Sequence, residues 1–166
     1  MASLRRLLSA QSDLADLSGI EIEPFRYEAR STRDGFDPLV EKMIAARAIL
    51  FATPVYWYAM GGRMKTLFDR FTDLLTDRDD SRRARALAGR DIWMLAVGAD
   101  PELPAGFDVP FRMTADYLAL RWQGSAYLAS NEAQASRRQK LARFAALIDA
   151  SLGSSPSARG DHGGSS

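Results

Sequence analysis

The chain has 166 residues, 46% of them hydrophobic and 26% charged, a composition typical of one ordinary globular domain. It contains no cysteine, which excludes disulfides, thiolate catalysis and cysteine-ligated metals. A net charge of +1 gives no field that would attract nucleic acid. No apolar run approaches the roughly 20 residues that cross a bilayer, and the polar residues that soon follow the start argue against a signal peptide. We therefore expect a cytoplasmic protein.

The first part of the chain is predicted to hold two helices and little strand. Residues 3–10 favour a short helix with its leucines on one side, and residues 11–22 are ambiguous between helix and strand. A polar loop punctuated by proline and glycine follows. Residues 36–46 favour a second helix, with Asp37 as its cap and Pro38 in its first turn.

The middle of the chain alternates short apolar runs with helical patterns. Residues 49–52 and 91–97 are typical of strands buried on both faces, and residues 64–75 favour a helix between them. Residues 76–87 are interpreted as a solvated charged connector. Their arginines follow several aspartates, and no aromatic residues are interleaved for stacking on bases.

The last part repeats the alternation. A loop rich in proline leads to a helix over residues 113–120, a strand over 121–128 and a helix over 132–152. Strands alternating with helices predict a parallel sheet covered on both faces, in one domain over residues 1–152. The Gly/Ser-rich residues 153–166 are predicted to be a disordered tail.

The segment from Thr53 to Gly62 carries the clearest functional pattern. Pro54 fixes the backbone as it leaves a strand, and a glycine pair lets the chain turn back. Three aromatic residues lie between them, so the segment could hydrogen-bond the edge of a heteroaromatic ring and pack on its face. The alternative is a loop whose aromatics pack on a neighbouring helix or subunit.

A second candidate follows the strand at 91–97. The residues Gly98, Ala99 and Asp100 are small enough to let a ligand approach the backbone closely, although many strands end in glycine. Other chemistry finds little support. The single histidine, His162, lies in the predicted tail, so a histidine-based triad or a multi-histidine metal site is excluded. Asp69 and Arg70 are interpreted as helix-surface partners near Lys65.

These motifs resemble a known family. Residues 52–58 (Ala-Thr-Pro-Val-Tyr-Trp-Tyr), followed by Met64-Lys65 and Phe68-Asp69-Arg70, resemble the flavodoxin-like NADPH-dependent FMN reductase and NAD(P)H:quinone oxidoreductase family. The resemblance implies an α/β flavodoxin-like three-layer sandwich whose parallel sheet has the order 2-1-3-4-5. It also implies an FMN cofactor, NAD(P)H as co-substrate, a small-molecule electron acceptor such as a quinone or flavin, and a homodimer or homotetramer.

The resemblance also assigns cofactor-binding residues. Contacts to the isoalloxazine ring are expected from Thr53, Pro54, Val55, Tyr56, Trp57, Tyr58 and Met60, and contacts to its opposite part from Gly98, Ala99 and Asp100. Because the redox chemistry belongs to the cofactor, no catalytic acid or base and no metal ligand is predicted.

One departure from the family concerns the beginning of the sequence. The family begins with an apolar strand and a Gly/Ser/Asn-rich loop that wraps the FMN phosphate, and this sequence shows neither. The missing first strand would leave residues 49–52 with an open edge. Two explanations compete: a true start that lies upstream, or a degenerate module that lacks flavin and acts in dimerisation or protein interaction.

Overall fold

The computed structural model describes residues 2–28, 34–75 and 78–154. Its elements in chain order are α1 (Ala2–Arg5), α2 (Phe36–Ala45), β1 (Ala48–Tyr56), β2 (Ala59–Met60), α3 (Gly62–Arg70), a 3-10 turn (Phe71–Leu75), α4 (Arg78–Leu87), β3 (Asp91–Gly98), α5 (Val109–Tyr117), β4 (Arg121–Ala129) and α6 (Gln134–Ser154). The tail predicted for residues 153–166 is helical at its first two positions, because α6 extends through Ser154, and from residue 155 it lies outside the described residues.

The sheet has the order β2-β1-β3-β4. Strand β1 runs parallel to β3, with Ala48 opposite Asp91 and Pro54 opposite Val97. Strand β4 runs parallel to β3 on its other side, and only the two-residue β2 is antiparallel. The three strands predicted at 49–52, 91–97 and 121–128 are therefore confirmed as a parallel set. The last two are one residue longer than predicted, and β1 is five residues longer.

Helices cover both faces of the sheet. One hydrophobic cluster joins β1 and β3 to α2, α3 and α5, with Phe51, Met94 and Phe111 among its buried members. A second cluster joins the other face to α1 and α6 through Leu4, Trp93 and other buried residues. The result is the three-layer α/β sandwich that alternating strands and helices predict.

The predicted charged connector is wrong. Residues 78–87 form α4, whose Leu87 is fully buried in the first cluster. Arg83 on this helix donates hydrogen bonds to Asp37 at 2.7 Å and to Glu41 at 2.9 Å, both on α2. Asp37 therefore ties two helices together instead of capping its own, and Asp34 accepts from the Phe36 N–H at 3.0 Å.

Residues 9–23 lie against the helices and form no strand. The N–H groups of Ser9 and Ala10 donate to Asp149 on α6. Asp13 pairs with Lys42 on α2 at 3.1 Å, and Arg63 on α3 donates to the Leu17 carbonyl. Polar contacts to α6, α2 and α3 therefore hold this segment.

Arg70 corrects a second prediction. It was expected on the helix surface with Asp69, yet its side chain is 1% exposed. The guanidinium donates to Asp73 at 2.6 Å, to Asp34 and to the Glu23 carbonyl, and it lies 4.6 Å from the centroid of the Phe36 ring. Asp69 does stay at the surface, where it pairs with Lys65.

Candidate functional site

The carboxyl end of β1 continues into a hairpin instead of the predicted loop. The strand does not end at Thr53-Pro54 but runs to Tyr56, reverses, and returns as β2, with Tyr56 opposite Ala59 and Val55 opposite Met60. The buried Thr53 hydroxyl accepts a hydrogen bond from the Gly61 N–H at 2.9 Å and so fastens the base of the hairpin. Thr53 therefore contributes to the site by holding the backbone of the hairpin in place.

The tip of this hairpin is strained. Trp57 and Tyr58 both have positive φ, 48° and 61°, in the left-handed region where asparagine and glycine are usually found. Two left-handed residues in a two-residue turn match the strand twist of a type I′ hairpin, and bulky residues there carry a backbone cost. The turn holds the Trp57 side chain 94% exposed and that of Tyr58 70% exposed.

The end of β3 lies beside the hairpin because the strands are parallel neighbours. Gly98 approaches both flanking strands so closely that a Cβ at this position would lie 2.7 Å from the Tyr127 hydroxyl oxygen and 3.1 Å from the Val55 Cβ. Glycine is therefore required by this close approach. The two strand ends that the sequence singled out meet at one edge of the sheet.

Tyr127 on β4 fixes the loop that follows Gly98. Its hydroxyl donates a hydrogen bond to the Asp100 carbonyl at 2.7 Å. Desolvation, followed by the nearby charge of Asp100, raises the pKa of Tyr127 above its usual value of 10.0. The hydroxyl therefore stays protonated, and remains a donor to this carbonyl, throughout the neutral range.

A cleft of about 610 Å³ opens between the hairpin and the loop after β3. It is lined by Tyr58, Asp100, Pro101, Glu102, Leu103, Pro104 and Ala105. This volume lies within the range of about 300 to 1,000 Å³ that is usual for small-molecule sites. The lining combines an aromatic side chain, apolar groups and two carboxylates, and it carries no cation.

The structure separates the predicted site residues into two groups. Tyr58 and Asp100 line the cleft, and Pro54, Tyr56, Trp57 and Ala99 are exposed around the strand ends. The second group supports the backbone: Thr53, Val55, Met60 and Gly98 are buried or partly buried.

Sequence reasoning missed Tyr127 and the residues from Leu103 to Ala105. Tyr127 pairs with Ala96 across β3 and β4, so the parallel register of the last two strands could have placed it beside Gly98. The prolines of the 101–104 segment marked only a loop, and nothing in their spacing indicated that the loop folds back over the strand ends.

A phosphate cradle of the kind expected from the resemblance is not formed by the described residues before β1. Besides α2, those residues comprise the four-residue α1 and segments without regular secondary structure, and Arg5 donates to the Ser12 carbonyl. Among the described residues, no cluster of three or more His, Asp or Glu could hold a metal ion, and no helix is long and apolar enough to span a membrane.

Comparisons with known proteins agree on one family. The family described as NADPH-dependent FMN reductase matches residues 2–135. A Bacillus subtilis protein named as an NAD(P)H-dependent FMN-containing oxidoreductase is 30% identical over 71 residues, which cover 43% of this chain and 39% of that protein.

Solved structures show the same fold. The Trp repressor binding protein from Bacillus subtilis superposes with a TM-score of 0.61 at 22% identity, covering 71% of this chain and 73% of that chain. A structure described as a flavone reductase superposes with a TM-score of 0.64 at 18% identity, covering 89% of this chain and 53% of the other. At such identities the likeness concerns the fold alone.

Proposed function

Because the chain belongs to the NADPH-dependent FMN reductase family, we propose that it binds FMN at the carboxyl edge of its sheet and uses NAD(P)H to reduce a small aromatic acceptor such as a quinone or a flavin. The B. subtilis relative named for FMN and NAD(P)H supports both the cofactor and the reductant.

One observation carries this proposal: the hairpin after β1 and the loop after β3 border a single cleft. Tyr58 from the first and Asp100 from the second line it together. Ligands of open α/β sheets bind in the crevice outside the carboxyl ends of the strands, which is where this cleft lies. Aromatic residues at one wall suit a planar ring.

The residues present fit the ring part of FMN. We assign ring-edge contacts to backbone groups between Pro54 and Tyr58 and to those from Gly98 to Asp100. Thr53 and Tyr127 hold these two backbones in place through their hydrogen bonds to Gly61 and Asp100. Bound FMN would accept a hydride from NAD(P)H and pass the electrons to the acceptor.

The chain's own contribution is then to bind, orient and shield. Close packing of Gly98 against Tyr127 and Val55 fixes the main chain at the point where β3 ends and the cleft-lining loop begins. The exposed Trp57 and Tyr58 supply apolar surface that limits water on the ring face. No acid or base is required of the protein, so catalysis rests on positioning.

We also propose a homo-oligomer, either a dimer or a tetramer, in the cytoplasm. Exposed apolar residues on the outer side of α5, Val109, Met113 and Tyr117, favour association with another surface.

A second candidate function is a flavodoxin-like module without flavin that acts in dimerisation or protein interaction. It is favoured by the exposed apolar residues on the outer side of α5, which suit contact with another surface whether or not FMN binds. The two candidates differ in whether FMN binds at all.

The test is a titration of the purified chain with FMN, followed through flavin absorbance and tryptophan fluorescence, with riboflavin as the comparison ligand. Saturable FMN binding below about 100 µM, followed by NADPH or NADH oxidation in the presence of a quinone, would support the oxidoreductase. Riboflavin binding within about tenfold of FMN would indicate that the ring half supplies most of the affinity. Absence of saturable binding by either ligand would refute the oxidoreductase and favour the interaction module.

A further inference from the structure

The cleft at the carboxyl edge of the sheet carries charge of one sign. Asp100 and Glu102 belong to its lining, both are exposed, and exposed carboxylates are ionised at neutral pH. The rest of the lining is the aromatic Tyr58 and a set of apolar residues, Pro101, Leu103, Pro104 and Ala105. A ligand in this cleft therefore meets two negative charges beside an aromatic ring and an apolar wall.

Neither carboxylate has a basic partner among the residues that the structure describes. Two basic side chains of neighbouring elements are engaged elsewhere. Arg112, on the helix that follows the cleft-lining loop, lies 3.5 Å from Asp108, and Lys140 on α6 lies 2.8 Å from Glu132. These two cations are therefore offset by their own partners, and the charge of the cleft stays negative.

The Tyr127 hydroxyl indicates which sign prevails beside the cleft. This hydroxyl lies 2.7 Å from the Asp100 carbonyl oxygen. Desolvation raises the pKa of Tyr127 most, the charge of Asp100 raises it further, and the charge of Lys140 lowers it by less. At this atom the negative charge of Asp100 therefore outweighs the positive charge of Lys140.

We propose that the cleft prefers an aromatic organic cation to a neutral or anionic aromatic of the same shape, so that Asp100 and Glu102 set the charge class of the electron acceptor. An aromatic face attracts cations at short range, and carboxylates attract them over a longer distance. Because both carboxylates line the cleft, an acceptor inside it lies close to them. The word acceptor rests on the proposed oxidoreductase function, whereas the charge preference of the cleft does not.

The size of the preference follows from Coulomb's law. One carboxylate at about 4 to 6 Å from a singly charged ligand in water changes its affinity by about threefold to sixfold. Two carboxylates together should favour a cation over a neutral ligand, and a neutral ligand over an anion, by about tenfold each at low ionic strength. Since both side chains are exposed, salt near 1 M, where the screening length is about 3 Å, should remove most of this difference.

The test is isothermal titration calorimetry of the full chain with three anthraquinones of similar shape. One carries a trimethylammoniomethyl group, one a hydroxymethyl group and one a sulfonate. We expect affinity to fall in that order, by about tenfold per step at about 10 mM salt and by less than about threefold per step at about 1 M. Equal affinities at low salt would overturn the proposal, and so would tightest binding of the sulfonate or no saturable binding by any of the three.

Two matched variants test whether the charge acts in the cleft. Glu102→Gln removes a carboxylate that lines it, and Asp116→Asn removes an exposed one at the opposite edge of the sheet. Asp116 lies on α5 near Ala119, whose carbonyl accepts from the Gly89 N–H just before β3 begins. Glu102→Gln should weaken binding of the cation by about threefold to sixfold at low salt, and Asp116→Asn by less than about twofold. Equal effects of the two variants would contradict the proposal.

The same compounds separate this proposal from the proposed function. A chain that binds no FMN but shows the charge order keeps the preference of the cleft and loses the oxidoreductase. A chain that binds FMN and reduces all three anthraquinones with equal kcat/KM at low salt keeps the oxidoreductase and overturns this proposal. In that assay each turnover transfers a hydride from NAD(P)H, takes up one proton from water, and gives NAD(P)⁺ and the anthrahydroquinone.

Discussion

Replacing Arg70 by methionine should destabilise the fold strongly. The change keeps much of the side-chain volume but removes a guanidinium that is 1% exposed and that pairs with Asp34 and Asp73, whose side chains are each 5% exposed. Both carboxylates would remain buried without their cation, and the Glu23 carbonyl would lose its donor.

Breaking a buried ion pair by removing one partner costs about 3–5 kcal/mol. For a chain of 166 residues, each kcal/mol lowers the midpoint of thermal unfolding by about 2–4 °C, so the midpoint should fall by roughly 6–20 °C. The measurement is urea and thermal unfolding, each followed by circular dichroism and by tryptophan fluorescence, with the two probes required to coincide.

The matched control is Lys65→Met on the same helix. Lys65 pairs with Asp69, but both side chains are largely exposed, so the loss should stay below about 1 kcal/mol. Neutralising both carboxylates in the triple variant Arg70→Met, Asp34→Asn, Asp73→Asn should recover much of the stability. A loss from Arg70→Met no larger than that of the control would refute the reasoning.

Three further outcomes are expected. Gly98→Ala should lower the free energy of unfolding by about 1–3 kcal/mol through contact with Tyr127, and it should weaken FMN binding. The control Gly62→Ala, whose added Cβ meets no atom within 4 Å, should do neither. Equal unfolding free energies and equal FMN affinities of the two variants would contradict the close approach. Thr53→Val should cost about 1–3 kcal/mol because the Gly61 N–H loses its acceptor, and urea unfolding that matches the parent chain would argue against the hairpin anchor. Burial raises the pKa of Asp34, but hydrogen bonds from the backbone of Glu23 and Phe36 and from Arg70 lower it below 3.8. The ionised Asp34 therefore stabilises the fold above that value, and this stabilisation is lost as the pH falls through the folded pKa. Asp34→Asn should flatten the acid side of a plot of unfolding free energy against pH, and an unchanged slope would count against this pairing.

The three parallel strands and most helices could be predicted because each shows its own periodicity. Residues 92–97 form a continuous apolar run, which is typical of a strand buried on both faces, and β3 is buried along nearly its whole length. The helix at residues 36–45 could likewise be predicted, because Leu39 and Met43 lie four residues apart and both are buried on one face.

Arg70 and Arg83 were misread because local charge patterns do not reveal distant partners. Arg70 finds Asp34, 36 residues away, and Arg83 finds Asp37, 46 residues away. A basic residue near acidic neighbours looks like a solvated surface in sequence. Only the packing of α2 against α3 and α4 decides which of the charges are buried.

The two loops of the candidate site could be located from the sequence, but their conformation could not. Thr53-Pro54 indicated the end of a strand, yet β1 continues because Pro54 faces the edge away from β3, where no N–H is needed to hold the sheet. The turn at Trp57-Tyr58 was equally hidden, since aromatic residues are poor type I′ formers and β2 forms in spite of them.

That turn has a consequence for anyone who engineers the chain. Substituting Asn-Gly at positions 57 and 58 would relax the positive-φ backbone and should raise the melting temperature. It would also remove the Tyr58 ring that lines the cleft and the exposed Trp57 ring beside it. Variant libraries selected for thermal stability alone should therefore lose the aromatic residues at positions 57 and 58. Only a selection that also requires ligand binding would keep them.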